Sequence, residues 1–148
     1  QIYINIRYYN VENTDFWSYD DVYFWINIDG SGWELTDTVT DNDEGYVEYN
    51  YSYNAADHWD WFFFVIEAWD SDDTSDDDQY DIDGRNSEDS VLYLVYYPDS
   101  GRVNGDAPHL YIRQFDNGGY TWVYVDGSDD GDYSVDAEIH LIVGWEVA

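Results

Sequence analysis

The chain contains no cysteine, no methionine and no lysine, and only 4 of its 148 residues are basic, all of them arginine. Without cysteine there is neither a disulfide framework nor a thiolate metal site. With 34 Asp and Glu against those arginines the formal charge is −30, a field that repels nucleic acid and anionic lipid headgroups alike. Nucleic acid is excluded as a partner on this ground and an anionic membrane is disfavoured. Long apolar runs are missing too. The longest, from Trp61 to Ile66, falls far short of the ~20 residues that cross a bilayer, so no transmembrane anchor is expected. The lack of methionine, together with a strand-like segment that begins at Gln1, gives the expectation that an initiator and a signal peptide have been removed and that the protein is extracellular.

What the chain does hold is rings: 8 Trp, 17 Tyr and 6 Phe. They separate it from the acid-rich sequences that stay disordered for want of apolar surface. Its length suits one domain, residues 1–148, able to bury about 70% of the surface of the unfolded chain. The acids must then be tolerated by external salt or by bound divalent cations, and cations are the preferred reading.

Hydrophobic residues recur with a period of two. Ile2, Ile4 and Ile6 alternate with Tyr3, Asn5 and Arg7, and Val22, Phe24, Ile26 and Ile28 alternate with Tyr23, Trp25 and Asn27, the pattern of half-buried strands. Similar segments follow near residues 33–40, 46–53, 61–69, 91–97, 110–115, 120–125 and 137–147. Clusters of Gly, Asp, Asn and Ser separate them, and Asn117-Gly118-Gly119 marks a hairpin turn. Eight or nine short strands without an amphipathic helix predict an all-β fold, an antiparallel β-sandwich. The Asp-rich tract 70–83 falls between strands and reads as a loop. Tyr3, Tyr9, Tyr23 and Trp25 are expected on outward faces, where contiguous rings mark contacts.

Two Asp-rich loops carry the chemistry. The first runs from Asp15 to Asp21 into the strand at Val22, and the second follows the apolar strand that ends at Trp69. Calcium takes six to eight oxygen ligands from carboxylates, carbonyls and water. Alternate residues of an extended segment face the same way, so Asp70 and Asp72 would face one ion together. Five carboxylates brought within a few ångströms would repel by about 1–4 kcal/mol per pair, and a cation would relieve that.

These residues resemble the calcium-binding C2 domains. In that family an Asp after the first strand of the motif is followed six residues later by an Asp that opens the next strand, and a later loop reads Asp-x-Asp-x-x-Ser-x-x-Asp. Asp15 and Asp21 match the first pair, Asp70, Asp72 and Asp78 match the acids of the loop, and Ser75 takes the Ser place. The resemblance covers roughly residues 1–97. It implies a sandwich with calcium loops at one end and Ca2+ held by Asp15, Asp21, Asp70, Asp72 and Asp78, with the Asp41–Glu44 turn where the family's middle loop lies. Two positions depart from the pattern: the usual Asp-Pro-Tyr is Asp21-Val22-Tyr23, and Gln79-Tyr80 replaces Ile-Gly after the last acid.

Other chemistries fit less well. An EF-hand over residues 70–81 fails because Ser75 stands where Gly is required and Asp81 where Glu should close the loop. His58, His109 and His140 lack zinc-like spacing, no carboxylate pair stands out for glycoside hydrolysis, and residues 126–132 read as a solvated turn. No enzyme activity is expected. The family's usual docking on phospholipid needs a basic patch that this chain lacks, although Phe16 and Trp17 lie in the first loop. The expected function is that of a calcium-binding structural subunit which self-associates as a homo-oligomer or polymer in a filament, tube, sheath or surface layer. The alternative is a calcium-dependent membrane- or carbohydrate-binding module, a glycan remaining open as partner.

Overall fold

A computed structural model describes residues 1–11, 21–39, 44–54, 59–71, 77–80, 82, 90–105, 109–127 and 137–147. Among them eleven strands form: β1 (Ile2–Val11), β2 (Val22–Ile28), β3 (Trp33–Leu35), β4 (Glu44–Tyr53), β5 (Phe62–Asp70), β6 (Asp78–Tyr80), β7 (Leu92–Tyr97), β8 (Arg102–Gly105), β9 (His109–Phe115), β10 (Gly118–Asp126) and β11 (Ala137–Glu146). They make two antiparallel sheets. Sheet A has the order β4-β1-β11-β10-β9, and sheet B the order β3-β2-β5-β7-β8 with β6 also paired to β5.

The antiparallel sandwich read from the sequence is the fold, with more strands than the eight or nine expected. β6 and β8 account for the difference. At three and four residues they are too short to show a period, and their partners, not their composition, make them strands. The Asp-rich tract is therefore not all loop, because β6 lies within it. The segment expected to be extended from Trp33 to Thr40 pairs over Trp33–Leu35 and then through one bridge, Val39 to Val22.

Alternation places the core. Ile2, Ile4 and Ile6 of β1, Phe24 and Ile26 of β2, Phe62, Phe64 and Ile66 of β5 and Ile139, Leu141 and Val143 of β11 are all fully buried between the sheets. Burying each such side chain contributes about 1.5–3 kcal/mol. Tyr9 corrects the sequence reading: it is buried, not outward. Against β11, Ile6 pairs with Leu141 but Tyr8 pairs with His140, so Arg7 is an extra residue. That bulge reverses the facing of everything after it, turning Tyr8 out and Tyr9 in. Tyr3, Tyr23 and Trp25 are only partly covered, as outward residues should be.

A hairpin joins β9 to β10 as expected, but its turn is Asp116 and Asn117, with Gly118 and Gly119 already in the strand. Gly144 of β11 has a packing reason: a Cβ there would meet the hydroxyl end of the Tyr3 ring at 2.5 Å. On one side of the sandwich the Tyr49 and Tyr51 hydroxyls of β4 donate to the Asp37 and Leu35 carbonyls at 2.9 and 3.1 Å. On the other, Gln114 donates to the Pro98 carbonyl at 2.8 Å and Thr121 to that of Gly101. The β3 and β4 edges are thus stacked at one side and the β8 and β9 edges at the other.

Candidate metal centre

Strand pairing in sheet B gathers the Asp-rich segments at one end. Antiparallel β2 and β5 set Val22 opposite Asp70, and antiparallel β5 and β6 set Asp70 opposite Asp78. Asp21, one residue before β2, therefore lies beside the end of β5, and three segments distant in sequence meet within two strand spacings, each ~4.8 Å. Backbone hydrogen bonds close the arrangement. The Asp21 N–H donates to Asp70 Oδ1 at 2.8 Å, and the Ser71 N–H donates to the Asp21 carbonyl at 2.9 Å.

Of the five expected ligands, Asp15 and Asp72 lie outside the described residues, as does Ser75, and only the backbone of Asp78 is described. Asp21 and Asp70 are brought together, both partly buried. No group of three or more acidic, His or Cys side chains close enough to hold an ion occurs among the described residues. The acceptors visible there, the Asp70 carboxylate and the Asp21 carbonyl, are oxygens of the kind that a hard cation takes. A Ca2+ here would be held by Asp21 and Asp70, with Asp78 placed on the facing strand.

The periodicity of the sequence did not disclose a second layer beside this end. Tyr23, opposite Trp69 on β5, donates its hydroxyl to Asp77 Oδ2 at 2.6 Å. Burial, then this hydrogen bond and the charges of Asp77, Glu67 and Asp70, push the Tyr23 phenol well above the usual tyrosine range. Burial likewise raises the Glu67 carboxyl, whose Oε1 accepts from Gln79 Nε2 at 3.4 Å. Tyr23 lies next but one to Asp21 and Gln79 next to Asp78. Proximity in sequence was their only signal.

A second polar cluster, unforeseen in the sequence, lies on the outer face of sheet A. His140 is flanked by the Tyr8 and Tyr124 rings at centroid distances of 4.6 and 4.9 Å, and Tyr46 follows Tyr8 at 5.2 Å. His140 Nε2 is 2.8 Å from Glu138 Oε1, and the Tyr8 hydroxyl donates to Glu44 at 2.9 Å.

No family model matches this sequence and no curated protein matches it; the likeness to known proteins is one of fold. The whole sandwich superposes on a structure described as a C2 domain with a TM-score of 0.52 and 12% identity, covering 99% of this chain and 97% of that one. A C2 domain of a plant extended synaptotagmin 1 matches with a TM-score of 0.50, 11% identity and coverage of 95% and 90%. Human GIVD cytosolic phospholipase A2 matches with a TM-score of 0.57 and 11% identity over 99% of this chain, which spans only 16% of that enzyme. A structure of the same enzyme in complex with an inhibitor and terbium chloride gives 0.56 and 10%. The fold of this chain is the C2 β-sandwich.

Proposed function

We propose that this chain is a non-enzymatic, extracellular structural subunit that binds calcium at the Asp70 end of sheet B and self-associates when calcium relieves the repulsion between its acidic surfaces. The observation that supports this most is the register that sets Asp70 directly opposite Asp78, together with the bond that ties Asp21 to Asp70. Like charges directly opposite on neighbouring strands are destabilising, and a chain of net charge −30 has few basic side chains with which to offset them. A bound divalent cation offsets them locally and adds its binding free energy to folding.

The ion would be taken up by Asp15, Asp21, Asp70, Asp72 and Asp78, the five acids of the C2 pattern. Terbium, which accompanies the phospholipase A2 in one of the matched structures, is also an oxygen-seeking cation and reports its own binding. Tyr23 and Trp69, paired beside Asp70, would sensitise its emission. The test is a terbium titration with calcium competition, followed by calcium titration of the wild-type chain under light scattering. Saturable emission displaced by calcium, and scattering that rises with calcium and reverses with chelator, are the expected results. Emission without scattering would retain the ion and reject the assembly, and pelleting with neutral liposomes or polysaccharide would then decide for the binding-module alternative.

A further inference from the structure

The two edges of sheet A differ in the charge they present. β4 turns Glu44, Tyr46 and Glu48 to solvent, Tyr46 being 90% exposed. β9, at the far edge, carries exposed Tyr111, Arg113 and Phe115. Neither strand contains Pro or Lys, two of the devices that blunt natural edges against pairing with another chain; β4 does carry a register shift against β1, where Val47 and Glu48 lie opposite Arg7. Sheet B repeats the contrast, with Glu34 exposed on β3 and Arg102 exposed on β8. Arg102 lies over the Tyr97 ring at 4.7 Å and Arg113 over Tyr111 at 5.7 Å. The ion pairs among the described residues, Arg7–Glu48 and His140–Glu138, involve neither. So the β8/β9 side holds two of the three described arginines of this acidic chain, with Asp99 and Asp116 in the adjoining turns, while the β3/β4 side presents acids.

Direction and the order of residues match as well. Four antiparallel steps separate β4 from β9 in sheet A, so the two edges run the same way, and a copy displaced across the sheet would lay its β4 parallel to β9. Tyr46-Val47-Glu48 and Tyr111-Ile112-Arg113 then read in the same order. Tyr46 and Tyr111 both belong to the outer face: Tyr46 is paired with Tyr8, and Tyr111 with Trp122.

We infer that copies of this chain join edge to edge, β9 of one pairing in parallel with β4 of the next, so that Arg113 lies beside Glu48 and Tyr111 beside Tyr46. This rests on the self-association proposed above and names its surface and its partner, a second copy. Pairing of like edges would set Glu44 and Glu48 against their own copies, or Arg113 against Arg113, and charge therefore selects the head-to-tail contact. A head-to-tail contact that does not close on itself propagates as a filament.

The chain has no cysteine, so an engineered pair reports only the contact it is placed to test. Tyr46→Cys with Tyr111→Cys, oxidised in calcium, should yield a ladder of covalent oligomers on a non-reducing gel, and either substitution alone should yield none; neighbouring strands ~4.8 Å apart bring such pairs within reach of a disulfide. Arg113→Glu should raise the critical concentration for assembly about tenfold or more, a loss of at least ~1.4 kcal/mol per contact. Adding Glu48→Arg should restore it, with circular dichroism of the dilute proteins confirming that each is folded. Wild-type polymers accompanied by no ladder, or by an Arg113→Glu variant that assembles at the wild-type concentration, would overturn the edge pairing and leave self-association standing. A wild-type chain that stays monomeric at every calcium concentration would overturn both.

Discussion

At the Asp70 end of sheet B, Tyr23 donates to Asp77, and Asp70 faces Asp78 across the strand gap. On the outer face of sheet A, Tyr8 donates to Glu44, while Glu138 meets His140 and Glu48 meets Arg7 at 3.9 Å. Both regions use phenol hydroxyls as donors to carboxylates, yet they balance charge in different ways. On sheet A the acids are spread along strands and each of these has a ring, an imidazole or a guanidinium beside it. On sheet B the register concentrates acids at one strand end, where backbone N–H and phenol O–H groups donate to them. The difference teaches that composition alone does not call for a cation: what matters is whether the register spreads acids of the same kind among donors or stacks them against one another.

The largest expected effect separates the two regions directly. Calcium at about 100 times its Kd should stabilise the fold by about 2.7 kcal/mol, read as a rise in Tm that chelator reverses. Asp70→Asn should lose most of this rise, and Glu138→Gln on sheet A should keep it. Equal responses from the two variants would erase the distinction. In chelator, Asp70→Ala should cost about 1–3 kcal/mol by denaturant titration because the Asp21 N–H loses its acceptor. Asp70→Asn should cost less, since its amide oxygen still accepts.

Next in size is the pair of phenols. Tyr23→Phe should cost about 1 kcal/mol at neutral pH through the lost bond to Asp77. Tyr8 is better probed by pH. Burial, followed by the bond to Glu44, pushes its hydroxyl up to about 12, against ~10 in an unfolded chain. The folded state thus favours the neutral phenol, whose stabilisation is complete below pH ~10 and is lost as pH rises through about 12. The wild type should therefore lose more stability across that window than Tyr8→Phe does, as measured by urea unfolding at a series of pH values.

The smallest effect concerns Glu67. Burial raises its carboxyl, so the charged form is a cost above the raised pKa that is relieved as pH falls through it. Glu67→Gln should stabilise the protein at neutral pH by less than about 1 kcal/mol, visible as a small rise in Tm that vanishes in acid. A destabilised variant would mean that the charge strengthens the bond from Gln79 by more than its burial costs.

Much of the fold was legible because a half-buried strand writes its facing into every second residue. Ile2, Ile4 and Ile6, or Val22, Phe24, Ile26 and Ile28, announce both strand and inner face. Tyr9 was misread because a single extra residue, Arg7, inverts the parity without changing the composition. β6 and β8 escaped because three or four residues contain no full repeat. In the candidate site, the spacing of Asp21, Asp70 and Asp78 could be read directly. Tyr23 to Asp77 could not, since that contact spans 54 residues and depends on which strands become neighbours.

By itself the sequence determined that the chain is all-β, that its interior is aliphatic and aromatic, and that its acids outnumber any internal counter-charge, because these follow from periodicity and composition. Only the tertiary structure decided which acids face one another and which edges carry the arginines. Strand order and register join residues by hydrogen bonds between backbones, and a backbone amide is the same in every residue, so no local pattern of side chains records its partner.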